Sequence, residues 1–210
     1  MSKEVEEMIK IYEELLNNEN TEYLINYLIR NYKNGIIFCG VGKNWYIAEK
    51  LCKTALSMGI PAQALDPTHA MHGDIGMINN QTIIFTSKSG ETNELSVLIK
   101  YLKKIRALGI INPKFASVFL NKNASLNSEM DSHLSIYPLS DVKEIKEFDI
   151  KGLVPSLSIN IVQMFLDKIL SKIFDADEKL RIRYKYNHPY GSIGKELGMS
   201  DMFSENINNK

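Results

Sequence analysis

The fold is decided by two stretches of sequence: Gly35-Ile-Ile-Phe-Cys39, which runs into Gly40-Val-Gly42, and Thr82-Ile-Ile-Phe-Thr86, which runs into Ser87-Lys-Ser-Gly-Glu-Thr92. Each is a short apolar run that ends at a polar or glycine-rich turn, as a buried strand does. Apolar residues at helical spacing follow each turn, over 47–58 and 95–108. The pattern predicts two successive strand-loop-helix units, and such alternation is typical of a mostly parallel, doubly wound α/β sheet.

The rest of the chain extends this pattern. Further strands are predicted over 116–120 and 133–137, and an amphipathic helix over 155–174, with Pro155 in a first turn that tolerates proline. Ahead of the first strand, helical spacing on both sides of a polar break at 17–20 predicts a helical hairpin. We expect one domain, in which the hairpin forms residues 1–32, the sheet and its helices form 33–203, and a polar tail forms 204–210.

Composition excludes several classes of protein. The 210 residues are 44% hydrophobic and 24% charged, as in a globular domain and unlike a disordered chain. The formal net charge of zero disfavours nucleic acid as a partner. Cys39 and Cys52 form neither a disulfide framework nor a zinc motif. The acidic N-terminus and the lack of a long apolar run predict a soluble, cytoplasmic protein with no membrane partner.

The loop after the second strand is the first candidate binding site. In open parallel sheets, ligands bind beyond the carboxyl ends of the strands, where loops lead into helix N-termini. Here the loop supplies the hydroxyls of Ser87, Ser89 and Thr92, and Gly90 lets backbone N–H groups approach an anion. This chemistry suits a phosphate monoester. Taken alone, the loop is more typical of an ordinary Ser/Thr-rich turn with a helix cap.

Other ligand classes lose support because their motifs are incomplete. Trp45 stands where a dinucleotide fingerprint needs its third glycine, and no GxxxxGK[ST] motif occurs, so a small phosphorylated ligand remains. The four histidines form no HExxH motif and no Cys/His cluster, so we expect no metal. The segment 66–77, which holds His69 and His72, has too much Pro and Gly for a regular element, and 187–194, around His188, is turn-rich. By itself each histidine is more typical of a structural hydrogen bond or a surface turn.

Five motifs nevertheless occur in a familiar order: Gly40-Val-Gly-Lys43, Pro67-x-x-Ala-x-His-Gly-Asp-Ile-Gly-Met77, Ser87-x-Ser-Gly-Glu91, Lys146-Glu147 with Gly152-Leu-x-Pro155, and His188-Pro-x-Gly-Ser-Ile-Gly194. Together they resemble the sugar isomerase (SIS) domain family, of the arabinose-5-phosphate isomerase type and without the CBS domains of longer members. The resemblance covers about residues 33–203. It implies a three-layer, flavodoxin-like α/β sandwich with a five-stranded parallel sheet, and a homotetramer. It also implies interconversion of D-ribulose 5-phosphate and D-arabinose 5-phosphate in Kdo and lipopolysaccharide biosynthesis.

The resemblance also implies which residues line the site. Those carried over as catalytic are Lys43, His72, Glu91, Glu147 and His188, and those assigned to substrate binding are Gly42, His69, Ser87, Ser89, Gly90 and Thr92. Moving a carbonyl between C1 and C2 of a sugar phosphate needs a base, a stabilised enediolate and an acid near the two oxygens, and no cofactor. Glutamate suits the base if burial raises its pKa toward neutrality, and we assign that role to Glu147 before Glu91. His188 or His72 would handle hydroxyl protons.

Several alternatives stay open. Glu91 could be a helix-capping carboxylate and Glu147 a solvated charge. The chain also departs from the family, with Trp45 for a glycine, Lys88 for an asparagine, and His69 where a glutamate often stands. A non-catalytic SIS module that binds a phosphosugar or CMP-Kdo as a sensor is the competing function. An isomerase for another phosphosugar is the third.

Overall fold

A computed structural model describes residues 2–140, 145, 147–149, 151 and 153–199. Its centre is a five-stranded, all-parallel sheet with the order β2-β1-β3-β4-β5. The strands are β1 (Ile36–Cys39), β2 (Ala62–Leu65), β3 (Thr82–Ser87), β4 (Lys114–Phe119) and β5 (Ser135–Ile136). The predicted α/β class with a five-stranded parallel sheet is therefore confirmed.

Helices cover both faces of the sheet. They are α1 (Lys3–Leu16), α2 (Glu19–Asn31), α3 (Lys43–Ser57), α4 (Pro67–Ala70), α5 (Asn93–Ala107), α6 (Leu157–Ala176), α7 (Glu178–Asn187) and α8 (Gly191–Glu196). On one face α1, α2, α3 and α6 form the larger core, and on the other α5 forms the smaller one. In the described part of the chain, none of these helices has the length and apolar character that crossing a membrane requires.

The central strand β1 is a continuous apolar run, because it is buried on both faces. Successive side chains of a strand point to opposite faces. Accordingly, Ile36 and Phe38 of β1 join the larger core, whereas Ile37 and Cys39 join the smaller one. The side chains of β3 and β4 alternate in the same way. The sheet is therefore the middle of three layers, with helices on both faces.

Strand β2 was not predicted from its residues. It forms one edge of the sheet, and its sequence Ala62-Gln-Ala-Leu65 has no β-branched residue; only Leu65 is buried. The strand predicted at 133–137 is shorter than expected, because β5 pairs with β4 only through Ser135 and Ile136.

Three expectations about irregular segments and helix starts were wrong. The segment 66–77 contains α4, which begins because the Asp66 side chain accepts the Thr68 N–H and Pro67 takes the first helical position. Helix α6 begins at Leu157, so Pro155 precedes it and Ser156 is the N-cap. The turn-rich segment 187–194 includes the first residues of α8. Residues 200–210, with the predicted tail, lie outside the described residues, as do Lys146 and Gly152 of one motif.

Candidate active site

A cavity of about 200 Å³ lies at the carboxyl edge of the sheet, between the turns after β1 and β3 and the start of α6. Parallel pairing of Cys39 with Phe85 brings both turns out at the same edge. The lining residues are Val41, Lys43, Asn44, Lys88, Pro155, Ser158, Ile159 and Val162. Two of them carry ammonium groups, so the cavity is suited to an anionic ligand.

The turn after β1 requires glycine at its first position. A Cβ on Gly40 would lie 2.7 Å from both the Asn44 Cβ and the Thr86 Oγ1. The close approach lets α3 begin directly above the strand, and its first residue, Lys43, reaches the cavity. The Lys43 Nζ donates to the backbone carbonyl of Pro155 at 3.0 Å. Gly42, the N-cap, has a positive φ of 60°.

The turn after β3 is closed by its own hydroxyls. The buried Ser87 Oγ accepts the Gly90 N–H at 3.0 Å and shares a hydrogen bond of 3.0 Å with the Thr92 Oγ1. The Ser89 Oγ accepts the Glu91 N–H at 3.2 Å. Gly90 has a φ of +66°, and a Cβ there would lie 2.4 Å from the Ala124 Cβ. The predicted phosphate turn is therefore tightly built around a position that only glycine can fill.

Glu147 is a buried carboxylate at the start of α6. Its Oε2 accepts the backbone N–H groups of Ser156, Leu157 and Ser158 at 2.8, 2.7 and 3.3 Å, and the Ser156 hydroxyl at 3.2 Å. Its Oε1 accepts from the Lys88 Nζ at 2.8 Å. The carboxylate thus caps the helix and pairs with a lysine of the turn after β3.

The condition set for a glutamate base, a pKa raised by burial, is not met at Glu147. Burial by itself raises this pKa, but the hydrogen bonds from Lys88 and from the first residues of α6 outweigh it and lower the pKa to about 2. The Ser158 hydroxyl stands close enough to contribute to this lowering, although it does not meet the geometry of a hydrogen bond. Glu147 is also not a solvated charge, because its side chain is fully buried.

Glu91 is exposed and holds two loops together. Its carboxylate accepts the backbone N–H of Ser125 at 2.5 Å and the Ser125 hydroxyl at 2.6 Å. These two bonds lower the pKa of Glu91. A third link is the bond from the Asn121 Nδ2 to the Ser89 carbonyl, at 3.1 Å. The contacts fit the capping alternative, here for the short 3₁₀ helix that begins at Ser125.

The predicted histidines lie at opposite ends of the sheet. His69 and His72 follow β2 at the carboxyl edge; both are exposed, and the His69 Nδ1 lies 3.7 Å from an Asp66 carboxylate oxygen. His188 follows α7, and its Nδ1 bonds the Tyr184 carbonyl at 2.9 Å. The neighbouring Asn187 side chain binds the carbonyls of residues 56 and 57, where α3 ends beside the amino edge. A single chain therefore does not bring His188 to the cavity.

Known proteins share this architecture. A scan against models of protein families finds no match. An uncharacterized protein of Rickettsia prowazekii is 34% identical over 88% of this chain and 54% of its own length. The arabinose 5-phosphate isomerase KpsF of Escherichia coli is 28% identical over 81% of this chain and 49% of its own length. The chain thus spans about half the length of the curated relatives it matches.

A solved structure from Escherichia coli CFT073, in complex with arabinose 5-phosphate, superposes with a TM-score of 0.73 at 29% identity. The match covers 89% of this chain and 94% of that one. The chain has the fold of the SIS family. The relatives named KpsF and the shared sheet support SIS membership.

Of the predicted site residues, only Lys43 lines the cavity of this SIS fold, although Lys88 of the predicted phosphate turn lines it too. Asn44, Ser158, Ile159 and Val162 line it but were not predicted as site residues. Ser158 is the most informative, since its buried hydroxyl has no hydrogen-bond partner among the described residues. The available signal was a serine in the first turn of a predicted helix near Glu147. Trp45 packs against the larger core. Among the described residues, no group of three or more His, Cys, Asp and Glu could hold a metal ion.

Proposed function

We propose that this chain is a sugar-phosphate aldose–ketose isomerase, and that its reaction interconverts D-arabinose 5-phosphate and D-ribulose 5-phosphate. The observation that carries the proposal is the cavity at the carboxyl edge of the sheet, which Lys43 and Lys88 line. Lys88 belongs to the glycine-centred hydroxyl turn after β3 and pairs with the buried Glu147. The KpsF relatives and the neighbour solved with arabinose 5-phosphate support this choice of reaction and ligand.

In this proposal the two ends of the substrate meet different groups. The phosphate binds the turn at 87–92, and the carbonyl end lies toward Glu147. A carboxylate removes the proton from C2 of the aldose, which leaves an enediolate, and returns it to C1, while a hydroxyl proton moves from O2 to O1. Lys43 offsets the negative charge that develops on the enediolate oxygens. Glu147 is the proposed base, because Glu91 is exposed and bound to Ser125.

His188 would enter the site from a second copy of the chain. Within one chain it lies beside the C-terminal end of α3, at the opposite edge of the sheet from the cavity. A homotetramer, which the family resemblance implies, could place that edge against a neighbouring cavity. His72, exposed at the carboxyl edge, is the candidate for hydroxyl proton transfer within the same chain.

A second candidate function is a phosphosugar-binding module without catalysis. It is favoured by one observation: both candidate bases are held as hydrogen-bonded anions, with the pKa of Glu147 lowered to about 2. A strong base for carbon acids needs a pKa nearer the working pH. A binding module requires only the turn and the lysines.

Isotope exchange separates the two functions. The purified protein is incubated with D-ribulose 5-phosphate in deuterated water, and the products are followed by NMR. The isomerase should form arabinose 5-phosphate that carries deuterium at C2. Glu147→Gln should abolish exchange and keep phosphosugar affinity within about tenfold, because the carboxylate acts mainly in the transition state.

The matched control is Glu129→Gln, which removes a half-buried, lysine-paired carboxylate, bound to Lys103. This variant should exchange deuterium at the wild-type rate. Binding of the phosphosugar by the wild-type protein without exchange or product would favour the sensor.

A further inference from the structure

Lys88 is the charged residue of the phosphate turn that faces the cavity. It stands between Ser87 and Ser89, and its side chain remains 36% exposed although it is paired with a carboxylate that is 0% exposed. The other cationic lining residue, Lys43, donates to the neutral carbonyl of Pro155. Lys88 therefore has access to a ligand in the cavity, and its present partner is an anion.

The hydrogen bonds of Glu147 are divided unequally between its two oxygens. Each backbone N–H donated from the start of α6 goes to Oε2, together with the Ser156 hydroxyl. The bond to Oε1 comes from Lys88. Because the helix holds Oε2 independently, Lys88 can leave without removing the support of the carboxylate.

We propose that Lys88 is a ligand-binding residue that exchanges partners: the phosphate of a bound phosphosugar draws its ammonium away from Glu147, and this exposes Oε1 to the cavity. The inference rests on the proposed function of the site and adds to it a coupling between phosphate binding and the candidate base. Lysine suits such an exchange, since its ammonium is a point charge on a flexible stem.

Electrostatics favours the exchange. A phosphate monoester carries nearly two negative charges at neutral pH, against one on Glu147, so the ammonium gains by moving. The exposed Ser89 stands next to Lys88 in the turn, and the Ser158 hydroxyl in the cavity wall, which has no hydrogen-bond partner in the described part of the chain, offers a new donor nearby. The uncovered Oε1 then binds a proton more tightly, because its nearest cation has gone and burial remains. Lys43 is the charged lining residue that continues to face it.

The test is a double-mutant cycle on binding, with inorganic phosphate and D-arabinose 5-phosphate as probes and calorimetry as the readout. Lys88→Met should weaken both probes about tenfold, the loss of one charge-assisted hydrogen bond, whereas Lys88→Arg should retain most of the affinity. The matched control, Lys114→Met, removes an exposed lysine at the amino end of β4 and should change neither affinity.

Glu147→Gln gives the decisive result. Removing the competing carboxylate charge should tighten phosphate binding about threefold to tenfold while Lys88 is present. In the Lys88→Met background the same substitution should change the affinity less than about twofold. Tightening of this kind is not expected from a merely structural pair, because loss of structure weakens binding. Circular dichroism and thermal melting confirm that each variant is folded.

Two results would overturn the inference: equal phosphate affinity in wild type and Lys88→Met, or an effect of Glu147→Gln that does not depend on Lys88. Failure of the proposed function is seen separately, as the absence of deuterium exchange. If the binding cycle gives the expected result but no deuterium exchange is seen, the partner exchange of Lys88 stands and the proposed isomerase activity fails.

Discussion

Replacing Glu147 by glutamine should destabilise the protein in a pH-dependent way. The pKa of this carboxyl falls from an ordinary value of 4.5 to about 2 in the folded protein. At about 1.4 kcal/mol for each pH unit, that difference corresponds to about 3 kcal/mol of stability when the group is ionised. The side chain is fully buried, so solvent does not screen the interactions that produce the shift.

The sign follows from the direction of the pKa shift. A carboxyl whose pKa is lower in the folded state contributes its stability above the unfolded pKa and loses it as the pH falls through the folded value. Glutamine does not titrate. The difference in unfolding free energy between wild type and Glu147→Gln should therefore be largest at pH 7, stay nearly constant down to about pH 5, and shrink by about 2 kcal/mol by pH 3.

Urea denaturation followed by circular dichroism at pH 7, 5, 4 and 3 measures this difference directly. Glu129→Gln is the control, because its carboxylate pairs with Lys103 and remains accessible to solvent. Its effect should stay below about 1 kcal/mol at each pH. A Glu147→Gln effect that is independent of pH would refute the reasoning, since it would mean that the carboxylate gains nothing from its ionised form.

Three further outcomes are expected. Gly90→Ala should lower the melting temperature at least twice as much as Gly109→Ala, because Gly109 has a similar positive φ but open space around it. A loss of about 3 °C is expected for Gly109→Ala, and equal losses for the two variants would contradict the packing argument. Glu91→Gln should weaken phosphate binding a few-fold in calorimetry by loosening its loop, and unchanged binding would exclude that role. Mixing separately inactive His188→Ala and Glu147→Gln proteins under subunit exchange should restore isomerase activity, and no recovery would place both groups in one chain's site.

The central strands were predictable because their apolar residues indicate burial on both faces. β1 is apolar throughout and β3 is apolar over 83–85, since both faces are covered, and each strand leads into a turn that the sequence marks with glycine or hydroxyls. β2 was not predictable, because alanine and glutamine have little intrinsic preference for a strand. It is held at the edge of the sheet by its pairing with β1.

The conformation of the turn after β3 was predictable from the sequence, whereas the burial of Glu147 was not. Ser87 and Gly90 act within a few residues of one another, so local sequence carries their geometry. Glu147 stands in a charged stretch that suggests a solvated face, yet it is buried because α6 docks its first turn onto it. That contact depends on packing across the molecule. The position of His188 depends on the end of the sheet that α7 reaches, which its motif does not encode.

The packing of α1 against α6 affects how long α1 stays exposed during translation. Ile11 and Leu15 of α1 are buried in a core completed by Phe165 and Ile169 of α6. A ribosome adds about 5–20 residues each second, so the apolar face of α1 stays exposed for on the order of ten seconds before α6 is synthesised. During translation this first helix is therefore a natural place for a chaperone to bind.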